Sequence, residues 1–108
     1  MKRLPQRAIL QVDRQALAHL CRKWRIVRLE VFGSVLRDDF RADSDIDLLV
    51  TFAPDARWSF FQLHQAESEF AALFGRRVEL VSRAGIEQSA NYIRRQAILS
   101  SAEVLYAA

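Results

Sequence analysis

The chain is short of the features that would make it secreted, membrane-bound or modular. Its 108 residues include one cysteine, so Cys21 has no internal disulfide partner and no cysteine-built zinc site can form. A reducing cytosol is the expected compartment. No apolar run approaches the roughly eighteen residues that cross a bilayer. The apolar stretch after Lys2 and Arg3 is broken by Gln11 and Asp13, so no signal-peptide core is expected. Repeats, linkers and low-complexity tracts are absent. Charge imbalance is slight, with 16 basic against 13 acidic residues and a formal net charge of +3. That balance suits a nucleotide, an acidic partner or RNA and is diagnostic of none.

What is present is a globular composition, 51% hydrophobic and 27% charged, in a chain long enough to bury one core. A single domain over residues 1–108 is expected. Residues 1–12 read as a lead-in. Asp13 is placed to cap a helix over Arg14–Lys23, with Val12 and Leu17 as a hydrophobic staple and Leu17, Leu20, Cys21 and Trp24 as its inner stripe. His19 falls off that stripe and should face solvent. Ile26–Phe32 alternates as a strand, with Val27, Leu29 and Val31 on one face. A second strand, Ile46–Phe52, carries Ile46, Leu48 and Val50 on one face and Leu49 and Thr51 on the other, the mark of a central, doubly buried strand. Pro54 and Asp55 end it. The periodicity then predicts a helix from Trp58 to Phe74, with Phe60, Leu63, Ala66, Phe70, Leu73 and Phe74 inward and Gly75 as its C-cap. Phe61 falls off the stripe. Arg77–Val81 reads as a third strand. Arg83–Ala97 reads as helical, with Ile86, Ala90, Ile93 and Ala97 inward, and Glu103–Tyr106 as a short extended segment. Together these predict an α/β (α+β) domain, a small mixed sheet of three or four strands with helices packed on it.

The chemistry concentrates between the first two strands. Gly33 and Ser34 follow the first strand, and Arg37 lies three residues after Ser34, on the same face of any helical turn there. Helix-start N–H groups, a hydroxyl and a guanidinium make a phosphate cradle. Ser44 precedes Asp45 and Asp47, which sit two apart at the head of the second strand, so both carboxylates point to one side of the sheet. A Gly-Ser pair or an Asp-x-Asp alone would be ordinary turn and capping chemistry. In this order, between strands, the set points to Mg²⁺ and a nucleotide.

These residues resemble the nucleotidyltransferase signature of the DNA polymerase beta superfamily, and the chain's length resembles its minimal nucleotidyltransferases. The resemblance implies a third carboxylate on the third strand, where Val78-Glu79-Leu80-Val81 stands in place of the usual Val-Asp-Leu-Val. It further implies that Asp45, Asp47 and Glu79 are catalytic and hold up to two Mg²⁺ ions. Gly33, Ser34, Arg37 and Ser44 would bind ATP. A nucleoside monophosphate, AMP in the first instance, would pass to a hydroxyl. Minimal members resemble antitoxins that modify a tyrosine of a HEPN-type RNase partner, so a hetero-oligomer with such a toxin is implied, and direct nucleic-acid binding is not. A second reading is a binding module that neutralises a HEPN-type partner by occlusion; the methylene that Glu79 adds over aspartate favours it.

Overall fold

A computed structural model of the chain describes residues 12–33 and 45–108. Asp13 caps α1 (Arg14–Lys23), its carboxylate accepting from the N–H groups of Gln15 at 2.9 Å and Ala16 at 3.3 Å. The turn into β1 (Ile26–Phe32) places Arg25 at φ 55, a left-handed conformation unusual for a residue with a side chain. Arg25 is held there by its ion pair with Asp55 and by its carbonyl, which accepts from Ala53 N–H at 2.8 Å. β2 (Ile46–Phe52) runs antiparallel to β1. Then come α2 (Phe60–Phe74), β3 (Val78–Ser82), α3 (Arg83–Glu87), α4 (Tyr92–Ser101) and β4 (Glu103–Ala107).

The sheet order is β3-β2-β1-β4, with β2 and β3 parallel and the other pairs antiparallel. Helices cover both faces. On one, Ile26, Leu29, Val31, Ile46, Leu48, Val50 and Val78 pack with Leu17 and Cys21 of α1 and with Ala66 and Phe70 of α2. On the other, Phe32 and Leu49 meet Ile86 of α3 and Ile98 of α4. β2 is therefore buried on both sides, as its composition requires. Burial also pushes the Cys21 thiol up to about 12, against a weaker lowering by Arg22, which makes it a packing residue rather than a nucleophile.

Several elements differ from the pattern-based expectation, each for a local reason. A register shift between Ile26 and Arg28 is a β-bulge. It puts Ile26 rather than Val27 into the core, and Val27 is only half-buried. α2 begins at Phe60 because Ser59 forms a capping box. Its Oγ accepts from Gln62 N–H at 3.1 Å, and its own N–H donates to Gln62 Oε1 at 2.8 Å. The box sets the helix phase so that Phe60 is 90% and Phe61 76% exposed, and Phe60 is no part of the inner stripe. β3 starts at Val78 and runs on to Ser82. The expected helix over Arg83–Ala97 is two helices, because Asn91 starts a new one by accepting from Arg94 N–H at 3.1 Å. That restart leaves Ala90, Ile93 and Ala97 exposed and makes Ile98 the buried anchor.

Charge ties the layers together. Glu30 of β1 is 3% exposed, and its Oε1 accepts from Arg83 Nη1 at 2.7 Å, with Arg28 Nε 3.3 Å away. Glu67 of α2 accepts from the N–H of Leu80 at 2.9 Å, a side-chain cap on the edge strand β3. Glu69 accepts from Lys23 Nζ at 2.8 Å and from Trp24 Nε1 at 2.8 Å, binding α2 to the end of α1. Trp24 in turn meets Trp58 edge to face at 5.1 Å.

The hydrogen bonds from Lys23 hold the Glu69 carboxyl below its ordinary pKa of 4.5, those from Trp24 and Gln65 adding to this and partial burial opposing it. A depressed carboxylate adds stability above its unfolded pKa and loses it as pH falls through the folded value. Glu69→Gln should therefore cost about 1–2 kcal/mol at pH 7, discounted for partial exposure. The gap to wild type should close progressively below about pH 4.5. Urea unfolding of both proteins across pH 3–7 checks this; a gap that does not change with pH would count against it.

Candidate active site

β1 ends at Phe32, and Gly33 follows with φ +81. In register, Asp47 of β2 lies between Phe32 of β1 and Glu79 of β3. Register partners project to the same side, so Phe32, Asp47 and Glu79 form one row across three strands. The next row is Glu30, Leu49 and Val81. The site thus has an apolar floor, Phe32 and Leu49, with carboxylates at its head.

Gly33 is required twice over. Its left-handed backbone disfavours any side chain, and a methyl group there would overlap Oδ2 of Asp47 and come within 3.2 Å of its Cγ. The missing Cβ is what lets the Asp47 carboxylate lie against the strand end. From there Asp47 opens into a cleft of about 500 Å³ whose far wall is α4, through Arg94, Ala97, Ile98 and Ser101.

Asp45 sits one residue before β2. The Ile46 N–H donates to the Arg77 carbonyl at 2.9 Å, and Arg77 Nε stands 3.7 Å from Asp45 Oδ1. Asp45 and Glu79 line a second cleft, about 360 Å³, with Arg77 and with His64, Glu67 and Ser68 of α2. Of the residues the sequence points to, Gly33 and Asp47 thus share the cleft on the α4 side and Asp45 and Glu79 the cleft on the α2 side; Asp47 and Glu79 are joined as register partners, whereas the two aspartates expected on one side open into different clefts. Ser34, Arg37 and Ser44 lie outside the described residues. Among the described residues, no three His, Cys, Asp or Glu side chains are grouped closely enough to hold a metal ion on their own. The donor chemistry nonetheless fits Mg²⁺, which commonly takes one or two carboxylates and completes its shell with water and substrate phosphate oxygens.

Pattern reading does not single out Arg77 and His64, and on the α4 wall it offers only Arg94, which with Arg95 reads as a surface residue within reach of a phosphate. The wall has a signal: positions 94, 97, 98 and 101 follow helical spacing on one face. The expected inner stripe ran through Ala90 and Ile93 and masked it.

A family model described as the nucleotidyltransferase domain matches residues 13–102. The chain belongs to this family. A solved structure described as a candidate minimal nucleotidyltransferase is 34% identical, with TM-score 0.63 over 94% of each chain. Two further structures share the fold at low identity. One is a toxin–antitoxin complex with AMP-PNP (16% identical, TM-score 0.65, 90% of this chain and 75% of that one). The other is a toxin–antitoxin complex of MntA and HepT (15%, TM-score 0.57, 88% and 70%). Among curated proteins none matches.

In this nucleotidyltransferase domain, Gly33→Ala should cost about 2 kcal/mol or more, from left-handed strain together with the overlap on Asp47. Asp47→Gly should relieve the overlap but not the strain. In a denaturation-based double-mutant cycle the pair should then couple favourably by at least about 0.5 kcal/mol. Additive effects would mean that Gly33 is needed for its backbone alone.

Proposed function

We propose that this chain is a Mg²⁺-dependent minimal nucleotidyltransferase that moves AMP from ATP to a hydroxyl, a tyrosine of a HEPN-type RNase toxin, and so acts in the cytoplasm as that toxin's antitoxin. The whole chain, residues 1–108, serves as the one domain. The observation carrying the proposal is the row that sets Asp47 beside Glu79 with Gly33 clearing space at its end, in a chain of the nucleotidyltransferase family. The partner class is supported by the toxin–antitoxin complexes that share the fold.

The roles follow from charge and position. Asp45, Asp47 and Glu79 would hold up to two Mg²⁺ ions, which when bound neutralise triphosphate charge and make the acceptor hydroxyl more acidic. Gly33 admits the nucleotide phosphates close to the backbone, and Ser34, Arg37 and Ser44 bind them. The acceptor oxygen attacks the α-phosphorus and forms a new P–O bond. The bond between the α-phosphorus and its bridging oxygen breaks, and pyrophosphate leaves. Glu79, exposed at the sheet end, receives the hydroxyl proton and passes it to water.

The second reading, neutralisation of the toxin by occlusion without transfer, is favoured by one feature: Glu79 stands where the family pattern has an aspartate, one methylene shorter. One assay separates the two. The chain is incubated with ATP, Mg²⁺ and the partner toxin, and the toxin is then weighed intact and tested for RNase activity. Wild type should add AMP and silence the RNase. Glu79→Gln should slow the addition about a hundredfold or more while ATP still binds, and Glu79→Asp should retain it. A wild-type chain that silences the RNase without adding AMP overturns the transferase reading.

A further inference from the structure

The cleft beside Asp47 has a wall that the reaction as described does not use. α4 opens with no acidic residue in its first turn and instead carries Arg94 and Arg95 there. The dipole of a helix start disfavours cations. Arg95 has a structural reason to be there: its Nη1 donates to the Ser89 carbonyl at 3.0 Å, and its guanidinium lies 5.3 Å from the Tyr92 ring centre. Arg94 has none. Among the described residues its guanidinium takes no hydrogen bond or ion pair, and it lines the cleft opposite Asp47 and Gly33. A cation set against the local field, without a structural partner and facing a cleft, is the kind of broken local rule that marks a functional position.

We infer that Arg94 is a substrate-binding residue that grips the triphosphate of the nucleotide from the α4 side, across the cleft from Asp47. The inference rests on the nucleotidyltransferase reading above. A guanidinium suits the task because its fixed N–H fork pairs with phosphate oxygens two at a time. The dipole of α4, whose positive end lies at its Asn91-capped start, adds to the same field. The ligand recognised is therefore the phosphate chain and not the nucleoside.

Titration calorimetry at fixed ionic strength with Mg²⁺ tests this, using ATP, pyrophosphate and adenosine as probes. Arg94→Gln should weaken ATP and pyrophosphate binding about tenfold or more, leave adenosine binding unchanged and melt with the wild type. Arg22→Gln removes the same charge from an exposed position on α1 and should leave all three affinities unchanged. An equal loss in the Arg22 variant would reduce the effect to overall charge and overturn the assignment. Wild-type ATP affinity in Arg94→Gln would overturn it while leaving the nucleotidyltransferase reading intact. A wild-type chain that binds no ATP would overturn both.

Discussion

The fold depends on β2 being buried from both sides. Ile46, Leu48 and Val50 close against α1 and α2, while Leu49 on the opposite face closes against Phe32, Ile86 and Ile98. A strand with two apolar faces cannot sit at an edge, so it takes a partner on each side, β1 antiparallel and β3 parallel. That pairing is what makes a site. It fixes Asp47, at the strand's polar head, beside the end of β1 and the start of β3, where Gly33 and Glu79 are the neighbours available. Carboxylates there would be costly in the middle of the sheet; at the strand head the two clefts give them access to solvent and substrate.

Among the described residues, the layer over the carboxylate face is thinner than the other and is held differently. α1 and α2 bury a continuous apolar cluster, whereas α3 and α4 contribute little beyond Ile86 and Ile98. Glu30 and Arg83 make up part of the difference. An almost fully buried carboxylate on β1 pins the first residue of α3, and Arg83 also reaches Glu87 one turn along the same helix. Such a pair stabilises less than apolar packing would, but its geometry is specific. It locates the start of the α3–α4 segment, and that location decides which α4 residues face Asp47.

Much of this was legible in the residues, and the failures have physical causes. β1, β2 and α1 were readable to the residue because alternation and helical spacing are strong there and Asp13 is an unambiguous cap. β4 was readable nearly to its ends. The row of carboxylates was readable because period two is rigid in a strand, although adjacency of β3 to β2 had to come from the family pattern. The α2 start and the division of α3 from α4 were not, because Ser59 and Asn91 each choose a helix phase through one or two hydrogen bonds, a choice that hydrophobic spacing does not register. The bulge at Val27 was hidden for the same reason: an extra residue in a strand leaves the composition unchanged and swaps the faces. Nothing in the strand pattern marks Glu30 as interior, because the Arg83 guanidinium that pairs with it comes from 53 residues away.

The arginines show why a modest positive charge says little by itself. Arg14 donates to the Leu105 carbonyl, Arg25 pairs with Asp55, and Arg28 and Arg83 converge on Glu30. Arg57 holds the turn carbonyls at Pro54 and Ala56, and Arg95 holds Ser89. Among the described residues, these guanidiniums are engaged in closing turns and joining layers. Arg77 and Arg94 are different, since each stands beside one of the two carboxylate clefts. On the proposed function, the charge that bears on the substrate is local, Arg77 and Arg94 at the head of the sheet together with Arg37 of the proposed phosphate-binding set, rather than the sum over the chain. An anionic substrate can enter there only if cations sit among the carboxylates, which is the arrangement Arg77 and Arg94 begin.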